Sequence, residues 1–205
     1  MKTIQFENRI LTPSKIVCIG RNYVEHIHEL GNEIPQSMVV FNKPNSALSE
    51  TLFYFIEATR FEGEICFLIE KGEIAGVGFG LDLTHADIQN SLKAKGLPWE
   101  RAKAFDSSAV LGRFVAFKGD ITKLRFELFI NGELRQFADY DLMIYKPDVM
   151  LREIASFMSF EEGDIIMSGT PKGVETYNIG DLFEGKIYCG GELLVASEWE
   201  VKEKK

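Results

Sequence analysis

Apolar and charged residues alternate along Phe61-Glu62-Gly63-Glu64-Ile65-Cys66-Phe67-Leu68-Ile69, and a period of two marks a β-strand. Successive side chains of a strand point to opposite faces, so Glu62 and Glu64 share one face while Ile65, Phe67 and Ile69 take the other. Glu-x-Glu alone is what any half-buried strand with a solvated acidic face shows. Here the glutamate face continues through Cys66 and Leu68, which turns it inward, and buried carboxylates need a partner. A hard divalent cation makes such a pair favourable where it would otherwise repel, and Asp82 would supply a third oxygen.

The same kind of reading extends over the chain. Residues 15–19 form a buried strand ending at Gly20, and Asn22 is set to cap a short helix over 23–30 that Gly31 stops. Strands follow at 38–41 and 51–55. Residues 75–82 alternate glycine with larger side chains, as where a strand bends or lies close to another backbone, and end on Asp82. Thr84 and Asp87 have the spacing of a capping box, which predicts a helix through Lys95 closed by Gly96. Lys103 falls on a loop or short turn after it. Asn131-Gly132 between the runs 124–130 and 133–137 is the signature of a type I′ hairpin. An amphipathic helix is predicted over 147–160, then a strand at 165–167, a loop at 168–173, and strands at 182–189 and 193–201. No repeat, linker or low-complexity segment interrupts this mixed, strand-rich pattern.

A chain of 205 residues with 45% hydrophobic residues can bury a substantial core in one domain. No long apolar run predicts a membrane span or export signal. Cys18, Cys66 and Cys189 are odd in number and widely spaced, which fits reduced thiols in a cytoplasmic protein and argues against structural zinc. A net charge of -8 without an internal basic block argues against nucleic-acid binding. An anionic small molecule would need local positive charge.

His26 and Glu29 lie three apart on the predicted helix and share a face. A carboxylate beside an imidazole fixes its tautomer and raises its basicity for proton abstraction, although the same spacing more often describes a surface pair. Taken alone, Lys103 reads as an exposed lysine.

Several short motifs stand in one order: Gly20-Arg21-Asn22-Tyr23-x-x-His26-x-x-Glu29, Lys43-Pro44, Glu62-Gly63-Glu64, Asp82-x-Thr84-x-x-Asp87-x-Gln89, Gly96-Leu97-Pro98-Trp99, Ala102-Lys103-x-Phe105 and Gly169-Thr170-Pro171-Lys172-Gly173-Val174. In this order the chain resembles the fumarylacetoacetate hydrolase family, most of all its short acylpyruvase and oxaloacetate decarboxylase branch, from about Lys15 almost to the C-terminus. The resemblance implies a strand-rich α+β fold over 1–205, a mixed β-roll or β-sandwich of the family's C-terminal-domain type with a few short helices, commonly a homodimer. It implies Glu62, Glu64 and Asp82 as ligands of Mg2+, with Mn2+ or Ca2+ as alternatives. It also implies His26 and Glu29 as a catalytic dyad on a lid helix, Lys103 as a cation beside the substrate, and Arg21, Gln89 and Thr170 as substrate contacts.

With these roles the resemblance implies a magnesium-dependent enzyme that cleaves a C–C bond in a small 2-oxo or 2,4-dioxo acid, by acylpyruvate hydrolysis or oxaloacetate decarboxylation. A tautomerase or isomerase would use the same enolate chemistry without a hydrolytic water. A metal- or metabolite-binding protein without turnover is the third reading, and retention of His26, Glu29 and Lys103 opposes it. Two departures bear on substrate identity. Ala86 stands where the family usually has an arginine, for which Arg101 is a candidate substitute, and Phe61 stands where a histidine is common.

Overall fold

A computed structural model of the chain describes residues 1–29 and 36–204, the side chains of residues 26–28 excepted. The chain opens with β1 (Ile4–Phe6) and β2 (Arg9–Leu11), then the buried β3 (Lys15–Gly20), α1 (Val24–Glu29) and β4 (Val39–Pro44). Three two-residue strands, β5 (Leu48–Ser49), β6 (Phe53–Tyr54) and β7 (Thr59–Arg60), lead into the long pair β8 (Gly63–Glu70) and β9 (Glu73–Asp82). Next come β10 (Thr84–His85), α2 (Ala86–Ala94), α3 (Glu100–Lys103) and β11 (Ala109–Ala116). The hairpin β12 (Leu124–Ile130) and β13 (Glu133–Asp139) precedes α4 (Pro147–Ala155) and β14 (Ile165–Met167). The strands β15 (Leu182–Cys189), β16 (Glu192–Glu200) and β17 (Lys202–Glu203) follow.

The large sheet has the order β2-β1-β11-β9-β8-β14-β3-β4, with β5 added beside β11, and a smaller sheet has the order β13-β12-β15-β16. The two faces of β8 explain how they pack. Ile65, Phe67 and Ile69 point toward the small sheet and join Phe126, Leu128, Ile187 and Trp199 in one core. Trp199 lies 6.2 Å from Phe79 and donates its indole N–H to the Glu50 carbonyl at 3.2 Å. Cys66 and Leu68 point the other way and pack with Ile4, Phe6, Ile16, Leu111 and Met167, all from strands of the same large sheet. A sheet that buries one face on itself is a roll. Glycines on β9 let it close: a Cβ on Gly80 would lie 2.7 Å from both Cys66 Sγ and Leu111 Cδ2.

Where prediction and structure part, a long-range partner or a local hydroxyl is the cause. Asn22 does not cap α1. Its amide oxygen accepts the Tyr145 N–H at 2.6 Å and its amide nitrogen donates to the Ser168 carbonyl at 2.8 Å. Thr84 does not cap α2, whose N-cap is His85; its hydroxyl donates to Glu62 Oε1 at 2.7 Å. Of the loop or short turn expected around Lys103, the structure has the turn, the four-residue helix α3 that Lys103 ends. The helix predicted to reach residue 160 ends at Ala155, where the Ser156 hydroxyl donates to the Glu153 carbonyl and competes with the next helical turn. The predicted strand at 51–55 shrinks to β6, paired with β17. The Asn131-Gly132 turn has the two positive φ angles expected of it, 52° and 81°. The predicted stop of α1 at Leu30-Gly31 lies outside the described residues. No helix among the described residues is long and apolar enough to cross a membrane.

Candidate active site

The antiparallel pairing of β8 with β9 brings distant carboxylates to one end of the roll. Gly63 lies opposite Leu81, and the Asp82 N–H donates to the Glu62 carbonyl at 2.9 Å. Oxygens of Glu62, Glu64 and Asp82 all lie within 4.8 Å of one another. Glu64 and Asp82 are buried, and Glu62 is partly open to solvent. Phe61, where the departure from the usual histidine falls, turns the other way into the core and meets Phe183 edge-on.

Two lysines enter this cluster. Lys103 Nζ lies 2.9 Å from Glu62 Oε1 and 2.8 Å from Asp82 Oδ2, so the expected exposed lysine is in fact buried between two carboxylates. Burial works against its charge, but Asp82 and Glu62 outweigh it and hold its pKa above the ordinary lysine value. Lys43, wholly buried, lies 2.7 Å from Asp82 Oδ1 and donates to the backbone carbonyls of Leu83, Ser108 and Lys103. Sequence reasoning gave Lys43 no role. The signal was there in a lysine following the apolar run Val39-Val40-Phe41 on a strand.

A hard cation fits what remains. Glu64 Oε2 accepts the Gly169 N–H at 2.6 Å, yet burial first, then the charges of Asp82 and Glu62, push its pKa well above the usual glutamate value. The cluster is short of positive charge. Asp82 Oδ1, though close to Lys43, lacks a well-directed hydrogen bond. An all-carboxylate donor set suits Mg2+ or Mn2+ better than zinc.

The loop after β14 forms the next wall. Asn22 holds Ser168, Glu64 holds Gly169, and Gln136 donates to Thr170 Oγ1 at 2.9 Å while its own carbonyl accepts the Gly63 N–H at 2.9 Å. Gln136, buried on β13, was missed, because nothing local sets it apart from other polar positions on a strand. Gly169 has φ +94°, and a Cβ there would lie 2.8 Å from Asn22 Cβ, so the loop needs glycine at that turn. From α1, Glu29 accepts the Gly173 N–H at 3.1 Å.

A cavity of about 330 Å³ opens onto these groups, with Glu29, Arg60, Glu62, Ala86, Gln89 and Lys93 among its walls. The expected dyad residue Glu29 and substrate contact Gln89 therefore face one space. The side chain of His26 lies outside the described residues. Thr170 is buried with its hydroxyl engaged by Gln136 and does not line the cavity. Arg21, half-buried with φ 57°, lies close enough to act on the charge of Lys93, which burial first and then Arg21 lower from its ordinary pKa. The Lys93 ammonium sits 5.1 Å from the centre of the Trp99 ring. Arg101, the candidate substitute for the missing arginine, is exposed and does not line the cavity. A second cavity of about 300 Å³, bordered by Gln5, Arg113 and Glu198, contains none of the three carboxylates.

Residues 15–196 match the model of the fumarylacetoacetate (FAA) hydrolase C-terminal family. The chain belongs to the fumarylacetoacetate hydrolase family. The oxaloacetate tautomerase YcgM of Escherichia coli is 36% identical to it over 187 residues, covering 82% of this chain and 85% of that protein. The mitochondrial oxaloacetate tautomerase FAHD1 of Arabidopsis thaliana is 35% identical over 222 residues, covering 98% and 99%. The crystal structure of fumarylpyruvate hydrolase from Pseudomonas aeruginosa, in complex with Mn2+ and pyruvate, matches with a TM-score of 0.89 at 26% identity, covering 99% of this chain and 96% of that one. The strand-rich roll is thus the fold of the fumarylacetoacetate hydrolase family, as the motif order implied.

Proposed function

We propose that this protein is a divalent-metal-dependent enzyme that interconverts the keto and enol forms of a small 2-oxo acid, with oxaloacetate as the first candidate. The observation that carries the reading is the cluster of Glu62, Glu64 and Asp82, braced by Lys43 and Lys103, whose Glu62 faces a cavity that Glu29 also lines. The names of the relatives at 35–36% identity favour tautomerisation over cleavage.

A divalent cation, Mg2+ in the first place and Mn2+ or Ca2+ as alternatives, would be held by Glu62, Glu64 and Asp82 and would supply Lewis-acid polarisation of the oxygens of a 2-oxo-acid head. The chain's own groups do the rest. Lys43 and Lys103 offset the charge of Asp82, and Lys103, with two of its three donors spent on Glu62 and Asp82, has one left for a substrate oxygen. Charges balance around the head group: three carboxylates against two ammonium groups leave one negative charge, a divalent cation makes it one positive, and the substrate's head carboxylate neutralises that. The dyad of His26 and Glu29 takes the proton from carbon 3 of the keto form, and one proton returns to the carbon 2 oxygen to give the enol. Arg21, Gln89 and Thr170 belong to this proposal as binding or positioning residues. So do one catalytic domain over 1–205, a homodimer and a cytoplasmic location.

A second reading keeps the same groups and breaks a C–C bond, by acylpyruvate hydrolysis or oxaloacetate decarboxylation; the fumarylpyruvate hydrolase likeness favours it. One experiment tests both. Protein stripped of metal and resupplied with Mg2+ or Mn2+ is offered oxaloacetate and acetylpyruvate, while enol absorbance and pyruvate release are followed together. Metal-dependent loss of enol absorbance without pyruvate supports tautomerisation, and matching pyruvate release supports cleavage. No metal-dependent change with either acid overturns the proposal.

A further inference from the structure

The inner end of the site is acidic and ion-paired, whereas the cavity in front of it carries two cations, Arg60 and Lys93, that share the space with Glu29 and Glu62 but are held in no ion pair by either. The strands β7 and β10 pair antiparallel with Arg60 opposite Thr84, the residue bonded to Glu62, and Arg60 lines the cavity beside the carboxylate cluster. On α2, Ala86, Gln89 and Lys93 recur at spacings of three and four, share one face, and line the same space. Among the described residues neither Arg60 nor Lys93 forms an ion pair, although both are half-buried. Two partly desolvated cations on one wall repel each other unless an anion comes between them. The charges around the head group are already balanced by one carboxylate, so a second carboxylate on the substrate would have to find its counter-charge farther out.

We infer that Arg60 and Lys93 form a clamp for a distal carboxylate, which makes this chain select 2-oxo diacids over 2-oxo acids with an uncharged tail. Ala86 suits this arrangement. It offers only a methyl group to the wall, so the clamp is built from β7 and the last turn of α2, not from the helix's first residue. The planar fork of Arg60 can meet both oxygens of a carboxylate, and Lys93 adds a point charge from α2. The inference rests on the 2-oxo-acid reading of the site, and its test separates the two.

Keto–enol conversion of oxaloacetate and of acetylpyruvate, which share a head and differ in the charge of the tail, is measured for the metal-loaded wild type, Arg60→Met, Lys93→Met and Lys93→Arg. The ratio of kcat/KM for oxaloacetate to that for acetylpyruvate should fall about 10- to 100-fold in each Met variant, mainly through the KM of oxaloacetate, and Lys93→Arg should keep most of it. Titration with Mn2+ checks that the folded site is intact in every variant. A ratio that moves less than tenfold in both Met variants overturns the clamp. Should the wild type convert neither acid, the 2-oxo-acid reading falls by itself, and calorimetry with malonate then decides the clamp. Malonate binding that disappears in the double Met variant supports it; no binding to the wild type, or equal binding to both proteins, overturns it.

Discussion

The inner wall of the site, behind the cavity-lining Glu62, is made of the buried Glu64, Asp82, Lys43 and Lys103, where opposite charges, Glu62 included, meet at 2.7 to 2.9 Å. At the outer wall, Arg60, Gln89 and Lys93 are half-buried, Glu29 is exposed, and the cations stand without ion pairs among the described residues. Buried charges cannot wait for a partner, because leaving one unpaired costs several kcal/mol. Partly solvated ones can. The inner wall is therefore suited to hold a metal and a reacting head group in fixed geometry, and the outer wall to meet whatever varies between substrates.

The largest expected effect comes from α1. If its dyad moves the proton, His26→Ala should lower the tautomerisation rate about 10²- to 10⁴-fold while Mn2+ binding, measured by titration, stays intact. Acetylpyruvate hydrolysis, if present, should fall with it, whereas pyruvate release from oxaloacetate, which needs no activated water, should persist. Loss of Mn2+ binding in this variant would erase the distinction between the two walls.

Stability contrasts the walls next. Lys43→Met leaves Asp82 without one of its two cations and should destabilise the metal-free protein by about 3–5 kcal/mol in urea unfolding. Lys93→Met, measured in the same way, should change stability by only about 0.5 kcal/mol. Similar values for both would mean that the inner ion pairs are no more tightly required than the outer cations.

A pH dependence follows from Glu64, whose pKa the fold raises. The unfolded chain leaves this carboxyl ionised at neutral pH, while the folded protein takes up its proton more readily. Stability of the metal-free protein should therefore rise as pH falls from the raised value of the folded state toward the ordinary glutamate value, where the gain stops. Thermal melts of wild type and Glu64→Gln over that range isolate the contribution, since the glutamine variant cannot make it. Saturating Mn2+ should reverse the slope, because metal and proton compete for the same oxygen. Parallel curves for the two proteins would remove Glu64 from the account. The smallest effect on metal binding is expected of Thr84→Val, which removes one hydrogen bond to Glu62 and should weaken Mn2+ binding by about 1 kcal/mol, read by titration.

Much of this was legible before any coordinates. The two-residue period over 61–69 separated the glutamate face from the core face, the glycine alternation before Asp82 marked the closely packed strand, and Asn131-Gly132 marked the hairpin. What escaped was the side chain with a choice of partners. Asn22 and Thr84 each sit at a spacing that suits a helix cap, but buried groups far away in sequence, around Tyr145 and Ser168 for one and Glu62 for the other, took their hydrogen bonds instead. Local pattern shows which partners are near in sequence and says nothing of which orphan groups the fold will bury. Lys43 and Gln136 escaped for the same reason, since their partners come from segments that meet only after the roll has closed.

The contact between Lys93 and the ring of Trp99 has an optical consequence. The chain has two tryptophans, Trp99 behind the outer wall against Lys93 and Trp199 in the apolar core. An anion that draws the Lys93 ammonium away from its ring should alter the emission of Trp99 and leave that of Trp199 as an internal standard. In Trp199→Phe the remaining signal would report the occupancy of the outer wall directly, with no turnover required, so each candidate ligand could be titrated against the protein's own fluorescence.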